Sequence, residues 1–207
     1  MEQLIRYLRS HGWARRGLSG LSVGLVLLAV SLLGFPLYTN IVQGRQQDRL
    51  NRQYASPELK QRYQTRALRE GDALTRIKIP KLDVDTIVVE GTSASALRAG
   101  AGHYPQTPLP CETGNVAIAG HRTTYGKPFA NVDRLVKGDT IILETPVGTC
   151  TYEVEKAPFP VSPDDFSVIT NDPTKKTLTL TTCHPKGSAK QRLVVKSTFV
   201  KGGPLPA

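Results

Sequence analysis

The sequence predicts an all-β domain, a barrel or a sandwich, that follows one membrane-spanning helix. From about residue 74, short runs of alternating apolar and polar residues are separated by Gly, Pro and Asp. Before them lies a single long apolar run without charge. The predicted strands are residues 76–79, 85–90, 115–120, 140–144, 149–156, 177–182 and 192–200, with one helical turn at 93–99. Their spacing is typical of a sandwich or barrel with few helices.

The apolar run at residues 18–38 predicts a transmembrane helix. At about 1.5 Å rise per residue it spans roughly 30 Å, the thickness of the hydrocarbon core of a bilayer. A close cluster of four arginines comes before the run, so the N-terminus is expected in the cytoplasm and the following domain outside the cell. A cleaved secretory signal is the alternative. No small-residue cleavage pattern follows the run, which favours an uncleaved signal anchor.

Four segments follow from this pattern. We expect a basic cytoplasmic tail at residues 1–17, the signal anchor at 18–38, an extracellular stalk at 39–73 and the exported domain at 74–207. The stalk is polar and is predicted to be partly helical. A helix that caps the domain is the alternative for residues 57–68.

The positive charge of the chain indicates a membrane rather than a nucleic acid. The formal net charge is +10, and residues 1–74 carry 11 Lys and Arg against 5 Asp and Glu. More than half of the excess therefore lies beside the apolar run, where basic residues meet the membrane surface. Trp13 is the only tryptophan, and no nucleic-acid-binding motif is present.

The exported domain contains three cysteines, of which Cys183 is the candidate nucleophile. Alternation along residues 177–183 puts Leu178 and Leu180 toward the core and Cys183 on the opposite face at a strand end. Cys111 and Cys150 lack this context, and we expect two separate thiols, with a disulfide between them as the alternative. No Cys/His cluster has the spacing of a zinc site, so no metal or cofactor is expected.

A cysteine nucleophile needs a base and a donor for the oxyanion. His121 follows the apolar run at 115–119 and lies at a strand exit, which favours it over His103. His184 is adjacent to Cys183, and neighbours in a strand face opposite ways, so it is a poor partner. Arg192 opens the next strand, and in an antiparallel pair it would lie close to Cys183.

These residues resemble the sortases, the membrane-anchored cysteine transpeptidases of Gram-positive cell surfaces. The resemblance rests on TLTTC at 179–183, the arginine nine residues later, and GHR at 120–122, in the order found in that family. It spans about residues 73–200. The stretches GNVAIAGHRTTYGKPF and CHPKGSAKQRLVV are most similar to the class E housekeeping sortases of actinobacteria.

The resemblance implies a closed eight-stranded β-barrel with short helices and a catalytic set of His121, Cys183 and Arg192. It also implies cleavage of an LPxTG- or LAxTG-like sorting signal between Thr and Gly through a thioacyl-enzyme. The protein carrying the signal would then be transferred to the amine of a cell-wall peptidoglycan precursor. Thr182 and Tyr125 are expected to contact the substrate, and no metal is implied.

Three other functions stay open on the sequence. A secreted cysteine hydrolase would use the same Cys–His pair with water as the acceptor. A pilin-polymerising sortase would use a pilin lysine, although the lack of a second apolar span favours the housekeeping type. A surface-binding β-domain without catalysis is the third.

Overall fold

The computed structural model describes residues 11–204, and these form two compact units divided between Tyr38 and Thr39. The first unit contains the start of helix α1 (Gly12–Tyr54). Between Arg16 and Tyr54 this helix is long and apolar enough to cross a membrane, and protein covers none of its most apolar stretch. Such exposure is consistent with an apolar surface that faces lipid. Residues 1–10 of the predicted basic tail lie outside the described residues.

The second unit contains two further helices and nine strands over residues 39–204. The helices are α2 (Pro57–Gln64) and α3 (Ala94–Ala99). The strands are β1 (Ala73–Ile79), β2 (Val84–Glu90), β3 (Ala101–His103), β4 (Gly114–Ala119), β5 (Thr140–Thr145), β6 (Gly148–Val154), β7 (Phe159–Val161), β8 (Lys176–His184) and β9 (Gln191–Pro204). The sequence predicted seven of these strands. It missed β3 and β7, whose three residues are too few for alternation to be visible.

Eight of the strands close into a barrel. Their order is β6-β5-β1-β2-β3-β4-β8-β9, and β9 pairs again with β6. The pairs β2–β3 and β4–β8 are parallel, and the other pairs are antiparallel. The ninth strand, β7, pairs with the first part of β9, ahead of the part that pairs with β6. The predicted closed eight-stranded barrel is confirmed.

Aliphatic and aromatic side chains fill the barrel because alternate residues of each strand point inward. In β6 the inward positions are Cys150, Tyr152 and Val154, and in β8 they include Leu178 and Leu180. Each of these five side chains is at most 1% exposed. Burial of each aliphatic side chain is worth about 1.5–3 kcal/mol relative to exposure, so this alternation fixes which face of each strand points inward.

Residues 39–64 pack against the barrel wall. Leu50 of α1 and Leu59 of α2 are 3% and 1% exposed, and both belong to a cluster with Ile87 of β2. Helix α2 begins where the Ser56 hydroxyl accepts a hydrogen bond from the backbone N–H of Leu59, at 3.2 Å. A helix that caps the domain, the alternative left open above, therefore describes α2.

Cys111 and Cys150 form a disulfide, with their Cα atoms 5.6 Å apart. The expectation of two separate thiols is therefore wrong. The bond connects the loop ahead of β4 to the middle of β6, and its two residues are 5% and 0% exposed. The sequence could name the pair but could not show that the barrel brings the two Cβ atoms within bonding reach.

Candidate active site

The end of β8 and the start of β9 bring Cys183 and Arg192 together. The strands are antiparallel, and their register pairs Cys183 with Arg192 and His184 with Gln191. Side chains directly opposite each other in such a pair lie on the same face of the sheet. Cys183 is the cysteine outside the disulfide, and its side chain is half-buried. The thiol and the guanidinium therefore share one surface at the strand ends.

Two backbone carbonyls hold the Arg192 guanidinium beside the thiol. Its Nη1 donates to the carbonyl oxygens of Ala189, at 3.2 Å, and Gln191, at 3.3 Å. The same nitrogen lies 3.9 Å from the Cys183 sulfur. A permanent positive charge is thus held beside the Cys183 sulfur.

The parallel register of β4 and β8 brings His121 opposite Cys183, just beyond the last paired residues of the two strands. That register pairs Ala119 with Thr181, and the next backbone N–H, of Gly120, donates to the Thr181 carbonyl at 3.0 Å. Counted from the Ala119–Thr181 pair, His121 and Cys183 each lie two residues further along their own segment. Burial lowers the pKa of His121 below its ordinary value of 6.5. The imidazole is therefore neutral at neutral pH and can accept a proton.

These side chains line one cavity of about 240 Å³. Residues at the ends of β4 and β8 line it, together with residues before and within α3. The lining residues are Thr92, Leu97, Tyr104, Ala119, Gly120, His121, Thr181, Thr182, Cys183 and Arg192. Within residues 11–204 no group of three or more His, Cys, Asp or Glu side chains is arranged to hold a metal ion.

The two predicted substrate contacts differ in their position. Thr182 lines the cavity, but it is 3% exposed and its hydroxyl donates to the Gly120 carbonyl at 2.7 Å. That hydroxyl proton is thus already engaged. Tyr125 lies beside His121, with the two ring centroids 5.3 Å apart, and it is half-buried. Its backbone has a φ of 48°, which turns the loop sharply after the histidine.

The two other histidines of the domain have structural partners. His103 is fully buried, with Nδ1 2.9 Å from a Glu90 carboxylate oxygen and Nε2 2.9 Å from the Pro108 carbonyl. His184 faces away from the thiol, and its Nδ1 accepts a hydrogen bond from Arg122 at 2.9 Å. Neither ring lines the cavity around Cys183.

Sequence reasoning missed two residues at this site. Tyr104 lines the cavity, and its hydroxyl lies 3.1 Å from the hydroxyl of Thr181. Arg122, the third residue of GHR, has a buried side chain that contacts the backbone of Cys183. Its adjacency to His121 was the available signal, but the sequence does not show which groups a buried arginine contacts.

Comparison with known proteins points to one family. The Sortase domain family model matches residues 77–200, more than half of the chain, and this range contains the residues described above. Sortase D of Bacillus subtilis (strain 168) is 38% identical over 128 residues, which cover 60% of this chain and 63% of that protein. Sortase SrtE1 of Streptomyces coelicolor is 34% identical over 150 residues, which cover 65% of this chain and 42% of that protein. The chain thus spans less than two thirds of the length of these relatives.

Solved structures agree with this assignment. A sortase D5 transpeptidase of Clostridium perfringens has a TM-score of 0.67 and 30% identity, over 77% of this chain and 99% of that one. Sortase E of Streptomyces avermitilis has a TM-score of 0.60 and 34% identity, over 66% of this chain and 93% of that one. Relatives named D and relatives named E occur in both comparisons, so class E stays a prediction. Because the domain match, the barrel and the relatives agree, the chain belongs to the sortase family of cysteine transpeptidases.

Proposed function

We propose that this sortase is a membrane-anchored transpeptidase. It cleaves an LPxTG- or LAxTG-like sorting signal between Thr and Gly and transfers the signal-bearing protein to the amine of a cell-wall precursor. The observation that carries the proposal is the convergence of His121, Cys183 and Arg192 on one cavity. They come from the ends of three strands, and they supply a base, a nucleophile and an oxyanion donor.

In the acylation step the neutral imidazole of His121 takes the proton of the Cys183 thiol. The sulfur attacks the carbonyl carbon of the substrate Thr, a C–S bond forms, and the carbonyl electrons move onto oxygen. Arg192 faces that oxyanion. When the carbonyl re-forms, the C–N bond to Gly breaks, and His121 gives its proton to the leaving amine. The product is a thioester on Cys183.

In the transfer step an acceptor amine attacks the thioester carbon. His121, now neutral, takes the proton of the amine as the new C–N bond forms. The C–S bond then breaks, and the sulfur recovers a proton from His121. Water in place of the amine would give hydrolysis by the same route, so the identity of the acceptor decides between transferase and hydrolase.

Tyr125 is our candidate for the wall that contacts the second residue of the signal. It follows His121 in the loop and lies at one side of the imidazole. An Ala at that signal position offers a backbone N–H, whereas Pro has none and fixes φ near −65°. A groove with an acceptor opposite this N–H would therefore prefer LAxTG to LPxTG. Thr182 supports the same site by fixing the Gly120 carbonyl.

The apolar part of α1 supports anchoring in the cell membrane. The arginines ahead of the run favour a cytoplasmic N-terminus and an extracellular barrel. Substrates that wait at the outer membrane face would share that surface with the enzyme, and tethering raises their encounter frequency. Protease added to intact protoplasts should digest the barrel and spare an N-terminal tag. A mature N-terminus near residue 40 would contradict the anchor.

Peptide cleavage by the full chain in detergent tests the proposed chemistry. LPxTG and LAxTG peptides are incubated with and without a glycyl or diamino-acid amine, and the products are identified by mass. We expect Thr–Gly cleavage and an amine-dependent conjugate, both abolished in Cys183→Ala and nearly abolished in His121→Ala. His103→Gln, which alters a histidine outside the cavity, is the matched control and should retain turnover per folded molecule.

The products separate the alternatives. A free Thr acid as the sole product, at every amine concentration, would make the protein a hydrolase. Transfer only to a pilin-type lysine peptide would make it a pilin-polymerising sortase. If neither peptide is cleaved while thiol-reactive probes still label Cys183, the proposed reaction is wrong.

A further inference from the structure

Arg122 is a buried cation beside the nucleophile that the mechanism above does not use. Its side chain is 4% exposed although it carries a permanent charge. Its Nη1 donates to the carbonyl oxygen of Cys183, at 3.2 Å, and to Nδ1 of His184, at 2.9 Å. Its Nη2 lies 2.9 Å from a carboxylate oxygen of Asp133. One planar group therefore contacts three acceptors on two other segments of the chain, the end of β8 and the segment that contains Asp133.

These contacts connect the loop that carries His121 to the strand end that carries Cys183. The backbone pairing of β4 with β8 ends at Thr181, where the Gly120 N–H is the last donor. Beyond it, the Thr182 hydroxyl bridges to Gly120. Two residues after Gly120 comes Arg122, whose guanidinium donates a hydrogen bond to the backbone carbonyl of Cys183.

The ion pair between Arg122 and Asp133 joins the two ends of the same loop. Asp133 lies in the 3-10 turn Val132–Arg134, eleven residues beyond Arg122. Burial alone would raise the pKa of Asp133, but its backbone hydrogen bond and the Arg122 guanidinium outweigh burial and lower it. The carboxylate is therefore ionised at neutral pH and pairs with the cation. The ion pair thereby links the two ends of the loop 122–133, and Arg122 links this loop to the end of β8.

This arrangement is costly for stability. A buried guanidinium loses its hydration, and the Nε of Arg122 has no hydrogen-bond partner among the described residues. The side chain of its partner Asp133 is 41% exposed, so solvent screens the pair and the pairing offsets only part of the cost of burying the guanidinium. The chemistry instead depends on the distance between an imidazole and a thiol on separate segments, and errors of about 1 Å in such distances are expensive.

We infer that Arg122 is a positioning residue that sets the separation of His121 and Cys183 by fastening the loop 122–133 to the carbonyl of Cys183 and the ring of His184. The kinetic part of this inference rests on the proposed function. His184 serves as an acceptor in this arrangement, which requires its Nδ1 to carry no proton. Arg122 itself is not among the residues that line the cavity around Cys183.

Two readouts on the full chain test the inference. The variants are Arg122→Met, which keeps the aliphatic stem, and Arg122→Lys, which keeps the charge but lacks the planar fork. The matched control is Arg62→Met, because Arg62 also pairs with a carboxylate, Asp72 at 3.1 Å, but outside the cavity. The first readout is hydrogen exchange by mass spectrometry without substrate. The second is kcat and KM for peptide cleavage, normalised to the fraction of Cys183 that a thiol probe titrates.

We expect faster exchange at residues 122–131 and 184–190 in Arg122→Met and not in Arg62→Met. We expect kcat per reactive thiol to fall about 10–100-fold with KM nearly unchanged, the cost of misplacing catalytic groups by about 1 Å. Arg122→Lys should recover part of that loss, because one ammonium can satisfy some of the three acceptors. If Arg122→Met does not fold, Arg122→Lys carries both readouts.

Two results would overturn the inference. Exchange that stays at the wild-type level in both segments would mean that Arg122 fastens neither. A kcat per reactive thiol equal to that of Arg62→Met, with only the melting temperature lowered, would mean that Arg122 is merely structural. If the wild-type protein cleaves no peptide, the proposed function fails, and the exchange measurement still decides whether Arg122 holds the loop.

Discussion

Removal of the Cys111–Cys150 disulfide tests how far this small barrel depends on a covalent link. The bond spans 39 residues of sequence and ties the loop ahead of β4 to β6. In the unfolded chain it forbids every conformation in which the two ends of that loop are far apart. In the folded barrel the two ends are adjacent with or without the bond, so its loss should act mainly by stabilising the unfolded state.

The size of the expected stability loss follows from the length of the closed loop and from the burial of the two cysteines. In the chain-entropy model, closing a loop of about 40 residues is worth about 4 kcal/mol at 25 °C. Cys111 and Cys150 are 5% and 0% exposed, so replacing both with Ala also removes two buried sulfur atoms. Each costs about 1 kcal/mol, by analogy with a buried methylene. The expected loss is about 4–6 kcal/mol, or roughly 10–20 °C in Tm for a domain of this size.

The assay is thermal unfolding of Cys111→Ala, Cys150→Ala and the double variant, followed by circular dichroism. Because either single substitution breaks the bond, all three variants should lose nearly the same stability, a strongly non-additive result. In denaturant the wild-type protein should show Cys183 as its one reactive thiol. Additive losses in the two single variants, or three reactive thiols without reductant, would refute the reasoning.

Three further predictions concern the site. Because burial lowers the pKa of His121, its imidazole protonates only as the pH falls through that lowered value; the acid limb of kcat/KM should have its midpoint below 6.5, and a midpoint above 6.5 would contradict this. Arg192→Lys loses the planar fork and should lower kcat about 10²–10³-fold in the peptide assay, as removal of an oxyanion donor does. The LAxTG peptide should exceed LPxTG by roughly three- to a hundredfold in kcat/KM, from one gained hydrogen bond and one avoided unpaired acceptor. Tyr125→Ala should narrow that ratio, and equal turnover of both peptides by the wild-type protein would remove the role given to Tyr125.

Local sequence patterns were enough to predict the placement of site residues whose partners are close in sequence. Alternation in β8 predicted that Cys183 turns away from the core, and the nine-residue interval predicted that Arg192 returns beside it in a hairpin. The register of β8 and β9 pairs Cys183 with Arg192, as the second of these predictions requires. A strand-exit position also singled out His121. Its level with Cys183, however, comes from the parallel pairing of β4 and β8, which are separated by more than fifty residues.

Polar segments were the hardest to interpret. Gln47 belongs to the stretch predicted as a stalk, and the composition of that stretch is typical of a solvated surface. In the structure its side-chain amide exchanges hydrogen bonds with both backbone groups of Ile87 and also contacts Ala99 and Thr86. A polar side chain can form hydrogen bonds with water or with a backbone group equally well. The sequence alone does not show which backbone group will lie within hydrogen-bond distance of it.

The sequence by itself determined the apolar helix, seven of the nine strands and the chemical types at the site, because these follow from periodicity and from short-range spacing. Only the tertiary structure decided that Cys111 bonds to Cys150, that residues 39–64 pack on the barrel and that Arg122 contacts Cys183. Each of these depends on closure of the barrel, which brings together groups many residues apart. Closure is set by the sum of many buried contacts, so no single motif in the chain contains it.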